Sequence, residues 1–165
     1  MKRFLLVLCA VVAWMPYAEA QILQEGSLGV LRGETMVNFE ADYSKASIMN
    51  MTEEEFATYE QDWKEDKPGI VSRISHGIEK SLDQKILFGR FPKADYTLRW
   101  EVLHINKKGD TISKVYVVNK QGDVCAVVAD VRGDGGTFGS KLNLIKDGAT
   151  ESGEKFGKYL RKQLR

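Results

Sequence analysis

The side chains able to do chemistry are few and scattered. The chain has two histidines, His76 and His104, and two cysteines, Cys9 and Cys125. No His-x-x-x-His, His-Glu-x-x-His or Cys-x-x-Cys spacing occurs, so zinc, haem and iron–sulfur sites have little support. A thiol nucleophile would need His104 beside Cys125. These fall on the first and third of three consecutive predicted strands, and side chains two strands apart are about 9–10 Å distant, too far for a hydrogen bond. Glu40 and Asp42 share one side of a strand, as do Arg99 and Glu101. Paired carboxylates can hydrolyse glycosides, but on the wet face of a strand they are usually just solvated. Asp123, Asp130 and Asp134 do not follow the alternating ladder of a calcium loop. No catalytic residue, cofactor-binding residue or metal ligand is assigned, and no cofactor is expected.

The run Gly133-Asp134-Gly135-Gly136-Thr137-Phe138-Gly139 is the next candidate. It begins like a dinucleotide fingerprint, but Phe138 stands where the last glycine would be. Gly139-Ser140-Lys141 inverts the Gly-Lys-Ser order of a P-loop. It is read as a flexible strand–helix connection presenting an interaction surface.

The elements that must position these residues follow an export signal. Lys2 and Arg3 precede an uncharged apolar run from Phe4 to Met15, then Pro16 and Ala18-Glu19-Ala20. This reads as a secretory signal peptide over 1–20, cleaved before Gln21. The run is shorter than the roughly 20 residues a membrane span requires. Leu8 before Cys9 argues against lipid attachment. The chain carries 24 Lys+Arg and 23 Asp+Glu, and the leader holds Lys2, Arg3 and Glu19, leaving 22 of each. A neutral domain has no long-range field to gather nucleic acid. Cys125 is the one cysteine past the leader. It lies in an apolar strand and is read as a small buried hydrophobe.

Residues 21–27 read as a flexible lead and 28–165 as one domain. The stretch from Leu28 to Ser44 reads as strand, and Val37, Phe39, Ala41 and Tyr43 alternate there with polar residues, giving it one buried face. Thr52 and Glu55 form a capping box, and Met51 and Phe56 have the spacing of a hydrophobic staple. The helix they open carries Phe56, Tyr59 and Trp63 and is expected to end near Lys64. Asp66 and Pro68 open a second helix, with Ile70, Ile74, Ile78 and Leu82 as its stripe and His76 facing solvent. Ile86–Phe88 reads as a short strand. Strands over 96–106, 112–119 and 123–132, joined by tight turns, form an antiparallel meander. A switch of apolar side near Leu103 suggests a bulge or a second covered face. A last helix runs from about Ser140 to Leu164, with a break expected near Gly148. Ala149, Gly153 and Gly157 stand four apart, implying tight docking on the sheet, with helix–helix pairing as the alternative. The whole implies an α+β two-layer sandwich: a mostly antiparallel sheet with helices on one face, in the order strand, helix, helix, strands, helix.

Two stretches carry a resemblance. The run from Val37 to Ala46 with the Thr-capped acidic helix, and the block from Gly133 to Leu164, resemble the front and end of a family of small exported bacterial proteins of unknown function. More remotely, Ala94–Leu98, the hairpin, Gly122-Asp123-Val124 and the terminal helix are similar to periplasmic accessory domains, such as the N-terminal domain of TolB. The second resemblance implies envelope protein binding without catalysis.

The reading is therefore a non-enzymatic binding or accessory module, exported to the periplasm or secreted, with outer-membrane association left open. Its partner would be an envelope protein, and a homo-oligomer is open. Nucleic acid and a membrane span after cleavage are not expected. The candidate surface is Trp63, Gly133, Asp134, Gly135, Gly136 and Phe138, together with the exposed sheet edge. A small hydrolase using carboxylates and a lipid- or glycan-binding protein are the alternatives. The last predicts an apolar cavity between helices and sheet.

Overall fold

The computed structural model describes residues 21–165. The leader read over 1–20 lies outside the described residues. Seven strands form one sheet: β1 (Ile22–Gly26), β2 (Met36–Asp42), β3 (Ser47–Ile48), β4 (Leu87–Gly89), β5 (Tyr96–Ile105), β6 (Thr111–Asn119) and β7 (Val124–Gly133). The spatial order is β1-β7-β6-β5-β2-β4, with β3 beside the far end of β5. Pairing is antiparallel from β1 to β5 and parallel where β2 meets β5 and β4. Helices α2 (Trp63–Ser81) and α3 (Lys141–Gln163) pack on the sheet, and the short α1 (Glu53–Tyr59) precedes them. The α+β sandwich expected from periodicity is the fold observed.

The meander rests on one turn used twice. Asn106-Lys107-Lys108-Gly109-Asp110 and Asn119-Lys120-Gln121-Gly122-Asp123 flank β6. In each, the Asn Oδ1 accepts the N–H groups two and four residues on, and its Nδ2 donates to the closing Asp. Each glycine has a positive φ, +83° at Gly109 and +90° at Gly122, which a side chain would disfavour. In β5 the register shifts between Val102 and His104. Leu103 is the extra residue and is pushed outward, while Ile105 returns to the core. Of the two explanations for the switch, a bulge or a second covered face, the bulge is the one observed.

Other elements depart from expectation. Residues 22–26 are an edge strand rather than a flexible lead. The local sequence has too little alternation to signal this, because the pairing is supplied by the open edge of β7, over a hundred residues away. Leu28–Leu31 is a single 3-10 turn capped by Ser27, so strand begins only at Met36. The first helix stops at Tyr59, and the second starts at Trp63 with Pro68 inside it. α3 is unbroken at Gly148, whose bare Cα admits the carbonyl of Gly109 where a Cβ would lie 2.1 Å from it.

The stripe of small residues serves helix–helix pairing. A Cβ on Gly153 would lie 2.2 Å from Ile74 O, one on Gly157 2.8 Å from Ile78 O, and one on Gly77 2.6 Å from Thr150 O. No real side chain fits at those distances, so the backbones of α2 and α3 touch. Lys146–Asp66 (2.8 Å), Lys80–Glu154 (2.8 Å) and Arg161–Asp83 (2.6 Å) flank the contact. The sheet-facing side of α3 carries larger residues instead. Phe156 meets Trp100 edge-on at 5.5 Å.

Two glycines on exposed and buried helix positions should therefore behave oppositely. Gly69, with open space around it, should gain about 0.5–1 kcal/mol on Gly69→Ala. Gly153→Val should lose about 3 kcal/mol through overpacking. Urea unfolding of the two variants checks both signs.

Candidate functional site

Trp63 is not a surface residue. It is 1% exposed, meets Phe56 at 5.2 Å and Tyr43 at 5.5 Å, both edge-on, and donates its Nε1–H to Glu53 Oε1 at 3.1 Å. The aromatic stripe read from the sequence is core, because helical spacing marks a buried face as readily as a binding one. Tyr59 of the same stripe is exposed and is held by Lys141, whose Nζ donates to its hydroxyl at 2.8 Å.

The glycine loop is anchored at its base. Gly133 is buried against α3, where a Cβ would lie 2.0 Å from Gly148 O. Gly135 donates its N–H to Asp110 Oδ1 at 2.7 Å, and a Cβ there would strike Lys108 O. Gly136 abuts the Asp147 carboxylate. Asp134 pairs with Lys155 at 2.9 Å and donates its N–H to Glu151 at 3.1 Å. Of the candidates, Gly133, Gly135 and Gly136 are thus spent on holding the loop, Asp134 is exposed but paired with Lys155, and Phe138 projects, at 89% exposure. The backbone N–H of Gly135 and the Asn106 amide hold the Asp110 carboxyl below its ordinary value of 3.8, with smaller help from Lys108 and Lys155. A depressed folded pKa gives stability that is present above the unfolded value and lost as pH falls through the folded one.

The carboxylates do not gather in a cleft. Glu101, on the sheet face away from the helices, is 8% exposed. Lys45 Nζ donates to one of its oxygens at 2.9 Å and Tyr116 Oη to the other at 3.0 Å. Glu40 faces Arg99 at 3.9 Å. Asp42 is opposite Glu101 across the strand pair; its carboxylate accepts the Ser44 N–H at 2.8 Å, which lowers its pKa. His104 lies opposite Ile112 on β6. Cys125 sits at a bulge opposite Val117 and Val118, roughly 20 Å further along that strand. Between helices and sheet, the cavity that Trp100 and Ser113 line is about 10 Å³, the room of about one water. It offers no place for a lipid chain.

The feature the sequence reading did not single out is a cleft at the β2 edge. β4 pairs only with Met36, Val37 and Asn38, while β2 continues to Asp42. Beyond Gly89 the chain leaves the sheet, its Phe91 N–H donating to Asn38 Oδ1 at 2.7 Å. The last half of α2 covers β4, with Glu79 accepting the Phe88 N–H at 2.8 Å. The first half stands over the uncovered part of β2. Between them lies a cleft of about 790 Å³ lined by Phe39, Glu40, Ala41, Lys67, Val71 and Arg90, with Pro68, Asn38 and Gly89. Thr35 O accepts from Leu87 N, so alternate residues Val37, Phe39 and Ala41 direct their main-chain groups to this side. The ladder ends at Asn38–Gly89, which leaves Ala41 N–H and C=O and Phe39 C=O without a strand partner. The signal was present as a mismatch in length: a long alternation around Val37–Tyr43 against a three-residue apolar run at 86–88.

No protein-family model matches the sequence, and no curated protein matches it. Two solved structures align over most of the chain. A point variant of the PelC dodecamer from Paraburkholderia phytofirmans is 13% identical, with a TM-score of 0.46 over 88% of this chain and 99% of that one. A PelC dodecamer from the same organism is 10% identical, with a TM-score of 0.47 over 82% and 96%. At that likeness, the assembly state of PelC says nothing about this chain. No helix among the described residues is long and apolar enough to cross a membrane.

Two outcomes follow. Trp63→Ala should cost about 3–5 kcal/mol as a core deletion, whereas Phe138→Ala should stay within about 0.5 kcal/mol; thermal and urea unfolding distinguish them. Asp110→Asn should flatten the acid limb of the stability curve as pH falls below the ordinary carboxylate value of about 4, measured by urea midpoints from neutral pH downward.

Proposed function

We propose that this chain is a non-enzymatic binding module of the bacterial envelope, periplasmic or secreted, acting by protein–protein contact. The observation that carries the reading is the β2 cleft: an uncovered strand edge over an apolar floor made by Phe39, Ala41, Pro68 and Val71. Sheets normally blunt or cover such edges, because an open edge is a template for another chain. The opposite edge, at β1, is handled differently, with a register shift and Glu25 on the rim. Partner recognition commonly combines main-chain groups with a few apolar pockets. The export reading comes from the leader sequence, and the accessory role agrees with the resemblance to periplasmic accessory domains. Carboxylate hydrolysis is less favoured, since Glu101 and Glu40 face cations and Asp42 is held by a backbone N–H.

The test is crosslinking of the tagged, exported protein in intact cells, with the captured species identified by mass spectrometry. A specific envelope protein should be recovered with the native chain and with Phe138→Ala, and lost with Ala41→Arg. Recovery of the chain alone, in cells where a known envelope complex is captured in parallel, would overturn the reading.

A further inference from the structure

The β2 cleft has the shape of a missing half-strand. β4 runs parallel to β2 and stops after pairing with Asn38. The line it would have followed passes between β2 and the first turns of α2. From Phe39 to Asp42 that line is roughly 13 Å long at about 3.3 Å per residue, enough for about four extended residues. Ala41 N–H, Ala41 C=O and Phe39 C=O point into it, and no hydrogen bond within the described residues uses them.

The lining sets what could lie there. Side chains of an added strand would alternate between two faces. On the inner face they would meet Pro68 and Val71 of α2, next to Phe39 and Ala41, which suits small or medium apolar residues. On the outer face they would stand beside Glu40 and Asp42. Glu40 is well exposed, and Asp42 is kept ionised by the Ser44 N–H. Lys67 does not offset these acids, because its ammonium is paired with Glu53 and lies over the Tyr43 ring, 4.8 Å from its centroid. Arg90 is the exposed cation at the β4 end of the cleft. Behind the acids, on the β5 side, Arg99 faces Glu40 at 3.9 Å and Lys45 pairs with Glu101, so the charges nearest the open edge are Glu40 and Asp42 at one end and Arg90 at the β4 end.

We infer that the cleft takes an extended segment of a partner protein that completes the sheet beside Phe39–Asp42, with apolar residues inward and basic residues outward against Glu40 and Asp42. This rests on the protein-binding reading above and specifies its mode. Opposite charges across neighbouring strands are favourable and like charges directly opposite are not, so an acidic segment of the same alternation should be rejected.

The probes are two blocked hexapeptides, one alternating Lys and Val and one alternating Glu and Val, added to the mature protein. Amide hydrogen exchange is read residue by residue by NMR. With the Lys–Val peptide, exchange of the Ala41 amide should slow by about tenfold or more, while the Glu40 amide, already facing β5, should change little. The Glu–Val peptide should give no protection at Ala41, and Glu40→Lys should abolish the effect of the Lys–Val peptide. Val71→Lys, on the helix side, should do the same without touching the sheet. Peptide binding seen as chemical-shift changes without slowed Ala41 exchange would overturn strand addition. Equal protection by both peptides would overturn the charge assignment. Absence of any shift at millimolar peptide would overturn the inference as a whole. In each case the crosslinking result decides separately whether the chain binds a protein at all.

Discussion

The backbone contact between α2 and α3 is the constraint on which the rest depends. Gly77, Gly153 and Gly157 remove the Cβ atoms that would hold the helices apart. The contact lies in the second half of α2, from Ile74 to Ser81, and there the helix also covers β4. The first half is held separately, by Trp63 and Ile70 in the core and by Lys146 on Asp66, and it stands over β2 beside the cleft at Phe39 and Ala41. The ion pairs that flank the contact are partly exposed, and exposed pairs contribute little each. The close packing, which larger residues could not reproduce, does the positioning.

A second set of glycines holds the other end of α3. Gly148 accepts the turn at Gly109 against its bare Cα, and Gly133 lies beneath the same part of the helix. The Asn-Lys-x-Gly-Asp turn therefore has two duties at its first occurrence, reversing the chain and docking the helix. Its second occurrence, at Asn119–Asp123, docks no helix: a Cβ on Gly122 would meet nothing, and Lys120 reaches to Asp95 and the Lys93 carbonyl instead. The same local chemistry was reused where the global demand differs. This also explains why Asp110 matters more than Asp123. Asp110 bonds the Gly135 amide as well as its own turn, tying the glycine loop to the meander.

Much of the fold was legible because its signals are local. The capping box at Thr52 and Glu55 forms as read, with both reciprocal bonds present. The meander, its turns and the bulge at Leu103 followed from alternation and turn residues. What was not legible depends on partners distant in sequence. Nothing in Ile22–Gly26 announces a strand, since its bonds are with β7. Trp63 was misread because a stripe of aromatics does not say which side it faces. The small residues at 153 and 157 had two possible neighbours, and only the placement of α2 chooses between them. The candidate surface fared likewise. Phe138 is exposed, but Gly133, Gly135 and Gly136 are held by close packing that a sequence shows only as flexibility. The β2 cleft required knowing that β4 lies beside β2, a parallel pairing between segments about fifty residues apart.

The cleft's chemistry depends on a cluster that reaches it only through Lys67. Glu53, in the first turn of α1, receives both the indole N–H of Trp63 and the ammonium of Lys67. Tyr43 lies beneath that ammonium and is fully buried; desolvation, reinforced by Glu53, raises its pKa far above the usual phenol range. It therefore stays neutral and presents only its ring face to the cation. The arrangement holds the Lys67 ammonium against α1. An acid on a neighbouring helix thus sets where the positive charge of the cleft wall lies, and the capping box that fixes the start of α1 fixes that acid. The N-terminal signature of one short helix, the clearest local signal in the sequence, reaches by this route to the charge lining of a cleft that the sequence does not reveal.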